Sequence, residues 1–282
     1  MALPDDVSNP ASPPMIARAT MTQADSPAPA PNDGSPPAPG RLALLVLGAG
    51  VAAGIIAWLA GEASLNAFVP RSHDVNVMGT PIKKVEFEDQ SAADYGNALV
   101  AFAWLGGLLG AGMGLAGGLA RNSRPAALRA AAIGLVLGVG VALVASAAFL
   151  PIYFRALDTA KEELSHDLLI PLLVHAAIWS ACGLAGGIAL GVGLGGGWPR
   201  ISKSALGGLV GAAIGAAAYE LIGAFAFPSR DHTTSPVSWS LATRLLARLL
   251  VAALAAVFAA IAVTTSGRPP SPGPARWKVD LD

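Results

Sequence analysis

Six long apolar blocks decide what this chain can become. They run over roughly 42–60, 97–119, 127–150, 169–194, 204–227 and 245–265. A hydrocarbon layer about 30 Å thick takes about 20 residues of α-helix at 1.5 Å each. Within it, only a helix or a closed barrel satisfies its own backbone polar groups. These blocks are apolar throughout instead of alternating, so they predict helices. The expected fold is an all-α integral membrane protein, a six-transmembrane-helix bundle in contact with the lipid bilayer. Pro151, Pro171 and Pro228 fall near predicted helix ends, where proline does least harm. The composition agrees, with 13% charged residues against about 25% in soluble proteins.

The remaining bulk properties mostly exclude. A formal net charge of zero gives no electrostatic case for nucleic acid as a partner. The single cysteine, Cys182, lies in the fourth block and allows no intrachain disulfide. Arginine outnumbers lysine 13 to five, the bias expected of a bacterium with GC-rich DNA.

Outside the blocks the chain divides simply. Residues 1–40 hold ten of the 22 prolines and read as a disordered tail, because such a segment buries too little apolar surface to offset ordering. The tail is too long, and lacks the basic start, for a cleaved secretory signal, so the first span is expected to act as an uncleaved anchor. Met15 and Met21 are alternative starts. Residues 41–266 form the membrane domain and 267–282 a short second tail. The connection between spans two and three carries Arg121, Arg124 and Arg129 without an acid, and that between four and five carries Arg200 and Lys203. The other three connections, 61–96, 151–168 and 228–244, are mixed in charge. Basic short loops stay inside, which predicts a cell (inner) membrane protein with both termini cytoplasmic.

Within the helices the clearest pattern is glycine at every fourth residue. Span two has Gly106, Gly110, Gly114 and Gly118, and span four has Gly183, Gly187, Gly191 and Gly195. Span five has Gly207, Gly211 and Gly215, and span three has Gly134 and Gly138 continued by Ala142 and Ser146. Residues four apart share one helix face, so each set is a strip of GxxxG type where a second backbone can approach closely. Such strips predict tight packing within the bundle, against other membrane helices, or in a homo-oligomer. A shift of 77 residues without a gap maps the span-two glycines onto those of span four. It also maps Gly134 and Gly138 onto Gly211 and Gly215, and Pro151 onto Pro228. That predicts a parallel helical-hairpin repeat, about 97–151 and 174–228. Accidental GxGxxG strings in these stretches lack the strand and the acid that dinucleotide binding needs.

Few polar groups enter the blocks. Glu220 lies about 10 Å inside the end of span five at helical rise, a costly depth for an unpaired acid. It sits off the Gly207–Gly211–Gly215 strip, on a side with Ala213, Ala216, Ala217 and Ala224. His175 lies at similar depth in span four, so the two are expected to be neighbours, with Tyr219 as a nearby hydroxyl. The functional reading is a proton or cation site, and the competing one a structural hydrogen bond. His73, His166 and His232 each adjoin an aspartate on the outer side, the residue types that hold zinc, but no compact ligand motif joins them. Asp158, Glu162 and His166 are spaced by four, and 151–168 is expected to lie in the interface as an amphipathic helix. "VNVMGTPIKKVEFED" alternates enough for a short hairpin. Arg244 and Arg248 beside Trp239 fit snorkelling at the outer interface.

No serine or cysteine has a histidine suitably placed as base, and no carboxylate pair stands out. The expectation is a non-enzymatic structural or assembly component without a cofactor. The alternatives are a small transporter- or channel-like bundle using His175 and Glu220, and an extracytoplasmic metal sensor.

Overall fold

The computed structural model describes residues 38–163, 169–226 and 236–265. Six helices in it are long and apolar enough to cross a membrane, so the chain is a multi-pass membrane protein. They are α1 (Pro39–Ala63), α2 (Phe87–Ala120), α3 (Arg124–Glu163), α4 (Leu169–Gly193), α5 (Trp198–Ala226) and α6 (Leu241–Thr264). Pro39 opens α1 where its missing N–H is harmless. Ser240 caps α6 by accepting a hydrogen bond from Thr243 N. Glu88 and Asp89 stand in the first turn of α2, the positive end of its dipole.

Two helices differ from the sequence expectation. α2 begins ten residues before its apolar block, and α3 runs through Pro151 for 40 residues in all. The segment after Pro151 is therefore a continuation of a spanning helix instead of a separate interfacial one. Proline removes one hydrogen bond and crowds the preceding turn, but packing on both sides of it outweighs that here. Leu150 and Tyr153 are fully buried, and the Phe154 ring lies 6.4 Å from that of Tyr95 in α2. At 1.5 Å per residue α3 is about 60 Å long, twice the hydrocarbon thickness. The start of α2 and the end of α3 thus project together from one end of the bundle.

The same end carries the chain between α1 and α2. Strands β1 (Ser72–Val77) and β2 (Thr80–Val85) pair antiparallel, from Ser72 opposite Val85 to Val77 opposite Thr80. Met78 and Gly79 turn the hairpin at φ 52° and 85°, the positive angles that a two-residue turn of matching twist requires. Asn97 on α2 ties this connection down by accepting from Phe68 N and donating to Phe68 O. We call this end the cap.

In the membrane region α2 and α4 are the most buried helices and touch each other at the centre. α1 and α3 flank α2, α3 and α5 flank α4, and α6 closes the bundle against α5 and α1. Leu44, Leu59, Val136, Val144, Leu206 and Leu221 remain exposed on outward faces, as lipid contact allows.

The glycines lie where backbones meet. A Cβ at Gly106, Gly110 or Gly114 would run into the carbonyl oxygens of Gly138, Gly134 and Ala130 on α3, and one at Gly118 into Ala127. A Cβ at Gly134 or Gly138 would meet the carbonyls of Gly110 and Gly106 in return. On α4, Gly183 and Gly187 meet the carbonyls of Gly208 and Ser204, and Gly191 would place a Cβ 2.6 Å from Ile201 Cα. Gly207, Gly211 and Gly215 turn away from α4 and meet α6, at Phe258, Leu254 and Val251. Gly195 does not extend the α4 strip. It lies past the end of that helix, at φ 61°, against Arg121. Gly50 and Gly54 form a further close approach, to Ala252 and Arg248 on α6.

These contacts change the register of the 77-residue correspondence. The pairs Gly106–Gly138 and Gly110–Gly134 recur as Gly183–Gly208 and Gly187–Ser204. The first helix shifts by 77 residues but the second by 70, so Gly211 and Gly215 are not the contact equivalents of Gly134 and Gly138. Seven residues is about two helical turns, so an offset of that size brings the same helix face to the contact.

Candidate functional site

The polar groups of the membrane region gather at the cap end, on the ends of α1, α4, α5 and α6. His175 occupies the second turn of α4 and is 3% exposed. Its ring stacks on Trp179, one turn further on, at 5.3 Å between centroids and 9° between planes. Tyr153 of α3 lies against it at 5.9 Å. Small residues set the approach of α5. Gly208 and Ala212 let α5 close on α4 at Gly183, and two turns on from Ala212 this brings Glu220 to His175. The distance from His175 Nδ1 to Glu220 Oε1 is 2.8 Å.

The other ring nitrogen fixes the protonation of this pair. Nε2 stands 3.1 Å from the carbonyl oxygen of Pro236, which accepts only, so Nε2 carries a proton. One further proton lies between Nδ1 and the carboxyl oxygen. With it on nitrogen the pair is imidazolium and carboxylate, and with it on oxygen both groups are neutral. In both forms the pair has no net charge.

Tyr219 does not join Glu220 or His175. Its hydroxyl hydrogen-bonds Ser238 Oγ, and its ring meets Trp179 edge-on at 5.4 Å. The segment entering α6 is thereby gripped from several helices: Pro236 by His175, Ser238 by Tyr219, and Ser238 and Trp239 carbonyls by Arg244 Nη1 at 2.9 and 2.7 Å.

Arg244 and Arg248 overturn the snorkelling expectation. Each is 7% exposed, pointing inward from the first two turns of α6. Arg244 makes a bidentate pair with Glu62 at the end of α1, Nε to Oε1 at 2.5 Å and Nη2 to Oε2 at 2.6 Å. Arg248 lays its guanidinium over Gly61 and donates from Nη1 to the Ala57 carbonyl. Gly61 makes this possible, since any Cβ there would occupy the guanidinium's place. The two arginines sit four residues apart on α6, so both face α1. Trp239, by contrast, is exposed.

Between these groups lies a cavity of about 30 Å³, lined by His175, Trp179, Tyr219, Arg248 and the 236–238 segment, among others. Outside it an open cleft of about 210 Å³ shares Val237, Ser238 and Arg244 with the cavity and adds Gln90, Asp94 and Asn97. Gln90 donates to Asp94 at 2.9 Å.

The sequence candidates for metal are not assembled. His73 Nε2 is 2.8 Å from Asp89 Oδ2 on the first turn of α2, and His166 and His232 lie outside the described residues. Among the described residues no three His, Cys, Asp or Glu side chains stand together as a metal site. Sequence reasoning missed Glu62 and Trp179, and it singled out Arg244 and Arg248 but gave them the wrong role. The available signal was Arg244 and Arg248 at helical spacing in a chain with few charges, facing a Gly61–Glu62 pair at the end of another span.

No protein-family model, no curated protein and no solved structure matches the chain.

Proposed function

We propose that this membrane protein is a non-enzymatic structural or assembly component of the cell (inner) membrane. The observation that carries the reading is the size of the void beside the buried polar groups. A cavity of about 30 Å³ holds about two waters at 10–15 Å³ each, too little for a hydrated solute to pass. The polar side chains instead join α1 to α6 and α4 to α5, and hold the entry to α6.

The glycine strips fit the same reading as internal packing devices. Each meets a neighbouring backbone within the chain, so none needs a partner helix or a second copy. The two hairpins α2–α3 and α4–α5 are read as a duplicated unit with a seven-residue register change, supported by the recurring Gly106–Gly138 and Gly183–Gly208 contacts. Arg121, Arg124, Arg129, Arg200 and Lys203 lie at or next to the short turns opposite the cap. By the positive-inside rule this supports a cytoplasmic side for both termini and an outer side for the cap. The cap is the surface offered to an assembly partner.

A second reading, a transporter- or channel-like bundle with a proton or cation site, is favoured by the proton shared between His175 and Glu220. Reconstituted into liposomes, the wild-type protein is expected to give no proton or cation flux above empty liposomes, and Glu220→Gln to match it. Flux in the wild type that Glu220→Gln removes would establish the second reading instead.

A further inference from the structure

The charges around the cavity do not balance among the described residues. The His175–Glu220 pair is neutral for the reason given above, and so is the bidentate Glu62–Arg244 pair. Arg248 is left over. It takes part in no ion pair among the described residues, and its hydrogen bond there is to the Ala57 carbonyl. The charges that bear on it are Glu62, already engaged by Arg244, and Arg244 itself, of like sign. Asp94 lines the outer cleft but not the cavity.

The spare hydrogen-bonding capacity has one polarity. Trp179 Nε1 is buried with no acceptor among the described residues, and a guanidinium has five N–H donors and no acceptor. Both residues line the cavity. The oxygens beside them are engaged, Pro236 O by His175, Ser238 Oγ by Tyr219 and Ser238 O by Arg244. A lining with surplus donors and surplus positive charge selects an anion, because a buried cation is tolerated only when compensated. At about 30 Å³ the space suits a monovalent ion of chloride's size, not phosphate.

We propose that the cavity bounded by Arg248, Trp179 and His175 binds a small monovalent anion of the chloride class, which completes the polar cluster. The ion reaches it from the open cleft that shares Val237, Ser238 and Arg244.

The test uses the full-length protein in detergent, with chloride titrated against gluconate at constant ionic strength and the melting temperature as readout. Binding to the folded state alone raises stability with ligand concentration, so a saturable rise is expected. Arg248→Gln is expected to abolish it. Trp179→Phe, which removes the indole N–H and keeps an aromatic ring against His175, is expected to weaken apparent chloride affinity about tenfold, as the loss of one charge-assisted hydrogen bond would. Should Arg248→Gln not fold, Trp179→Phe alone carries the comparison. Equal melting temperatures in chloride and gluconate would overturn the proposal, as would a chloride response unchanged in Trp179→Phe. In crystals grown with bromide the anomalous peak is expected beside Arg248, and a chain with bromide only elsewhere would also overturn it.

Discussion

Glu62→Ala is expected to destabilise the folded protein by about 3–5 kcal/mol, the cost of stranding one partner of a buried ion pair. The magnitude follows from the surroundings of Arg244. The guanidinium is 7% exposed and has two of its N–H groups on the Glu62 carboxylate. Without that carboxylate it keeps only the Ser238 and Trp239 carbonyls, and Arg248 one turn away adds repulsion. The cap-end tie between α1 and α6 would then rest on the Arg248–Ala57 hydrogen bond, since the two helices otherwise meet through small residues such as Gly50, Gly54 and Ala252. Replacing both partners, Glu62→Leu with Arg244→Met, is expected to recover most of the loss, because a buried pair and an apolar pair of similar volume are often nearly equal in energy. Equilibrium unfolding in mixed micelles would measure both. A Glu62→Ala loss below about 1 kcal/mol, the range of exposed pairs, would show that water reaches the pair and that the cluster is not the anchor described.

The number of spans was legible because one physical requirement dominates it. A segment in hydrocarbon must be long, apolar and helical, and six segments of this chain meet that description on inspection. The ends were harder for a reason specific to this protein. α2 and α3 continue past their apolar blocks without stopping, so "FEDQSAADY" read as loop and "PIYFRALD" as a separate interfacial helix, although both belong to the long helices. Pro151 reinforced the error, since local preference favours a break there and only the burial of Tyr153 beyond it decides otherwise. The register of the second hairpin was lost for a related reason. An ungapped shift compares sequence positions, whereas the packing compares faces, and an offset of seven residues preserves a helix face.

The proximity of His175 and Glu220 was legible from depth alone, because adjacent antiparallel spans place residues of equal depth side by side. The arginines were misjudged because length allows a long basic side chain either to snorkel or to reach inward. What decides between these is the opposite helix. Gly61 leaves a space the size of a guanidinium, and Glu62 supplies the charge beside it. Neither residue lies in the same connection as Arg244, so no local pattern could have paired them.

One substitution made at two glycines of the α2–α3 hairpin should give opposite signs. Gly110→Ala is expected to cost about 3 kcal/mol, the upper end for adding a methyl group to a packed interior. The added Cβ would meet the Gly134 carbonyl oxygen, with its carbon at 2.8 Å and Gly134 Cα at 3.3 Å. All three are backbone atoms of a helix that is itself held by α4, so no rotamer change relieves the contact. Gly138 and Gly106 meet in the same way one turn along, which prevents a local opening at Gly110 without parting the whole strip. Gly140→Ala meets nothing within 4 Å, and there the removal of an interior helical glycine is expected to stabilise by about 0.5–1 kcal/mol. Because both positions are inside helices, the intrinsic preference for alanine acts equally at each, and the difference of about 4 kcal/mol isolates the close approach. The same unfolding measurement reads both variants. Equal effects at Gly110 and Gly140 would mean that α2 and α3 do not meet backbone to backbone in the membrane, and the packing argument for every strip would fall with that pair.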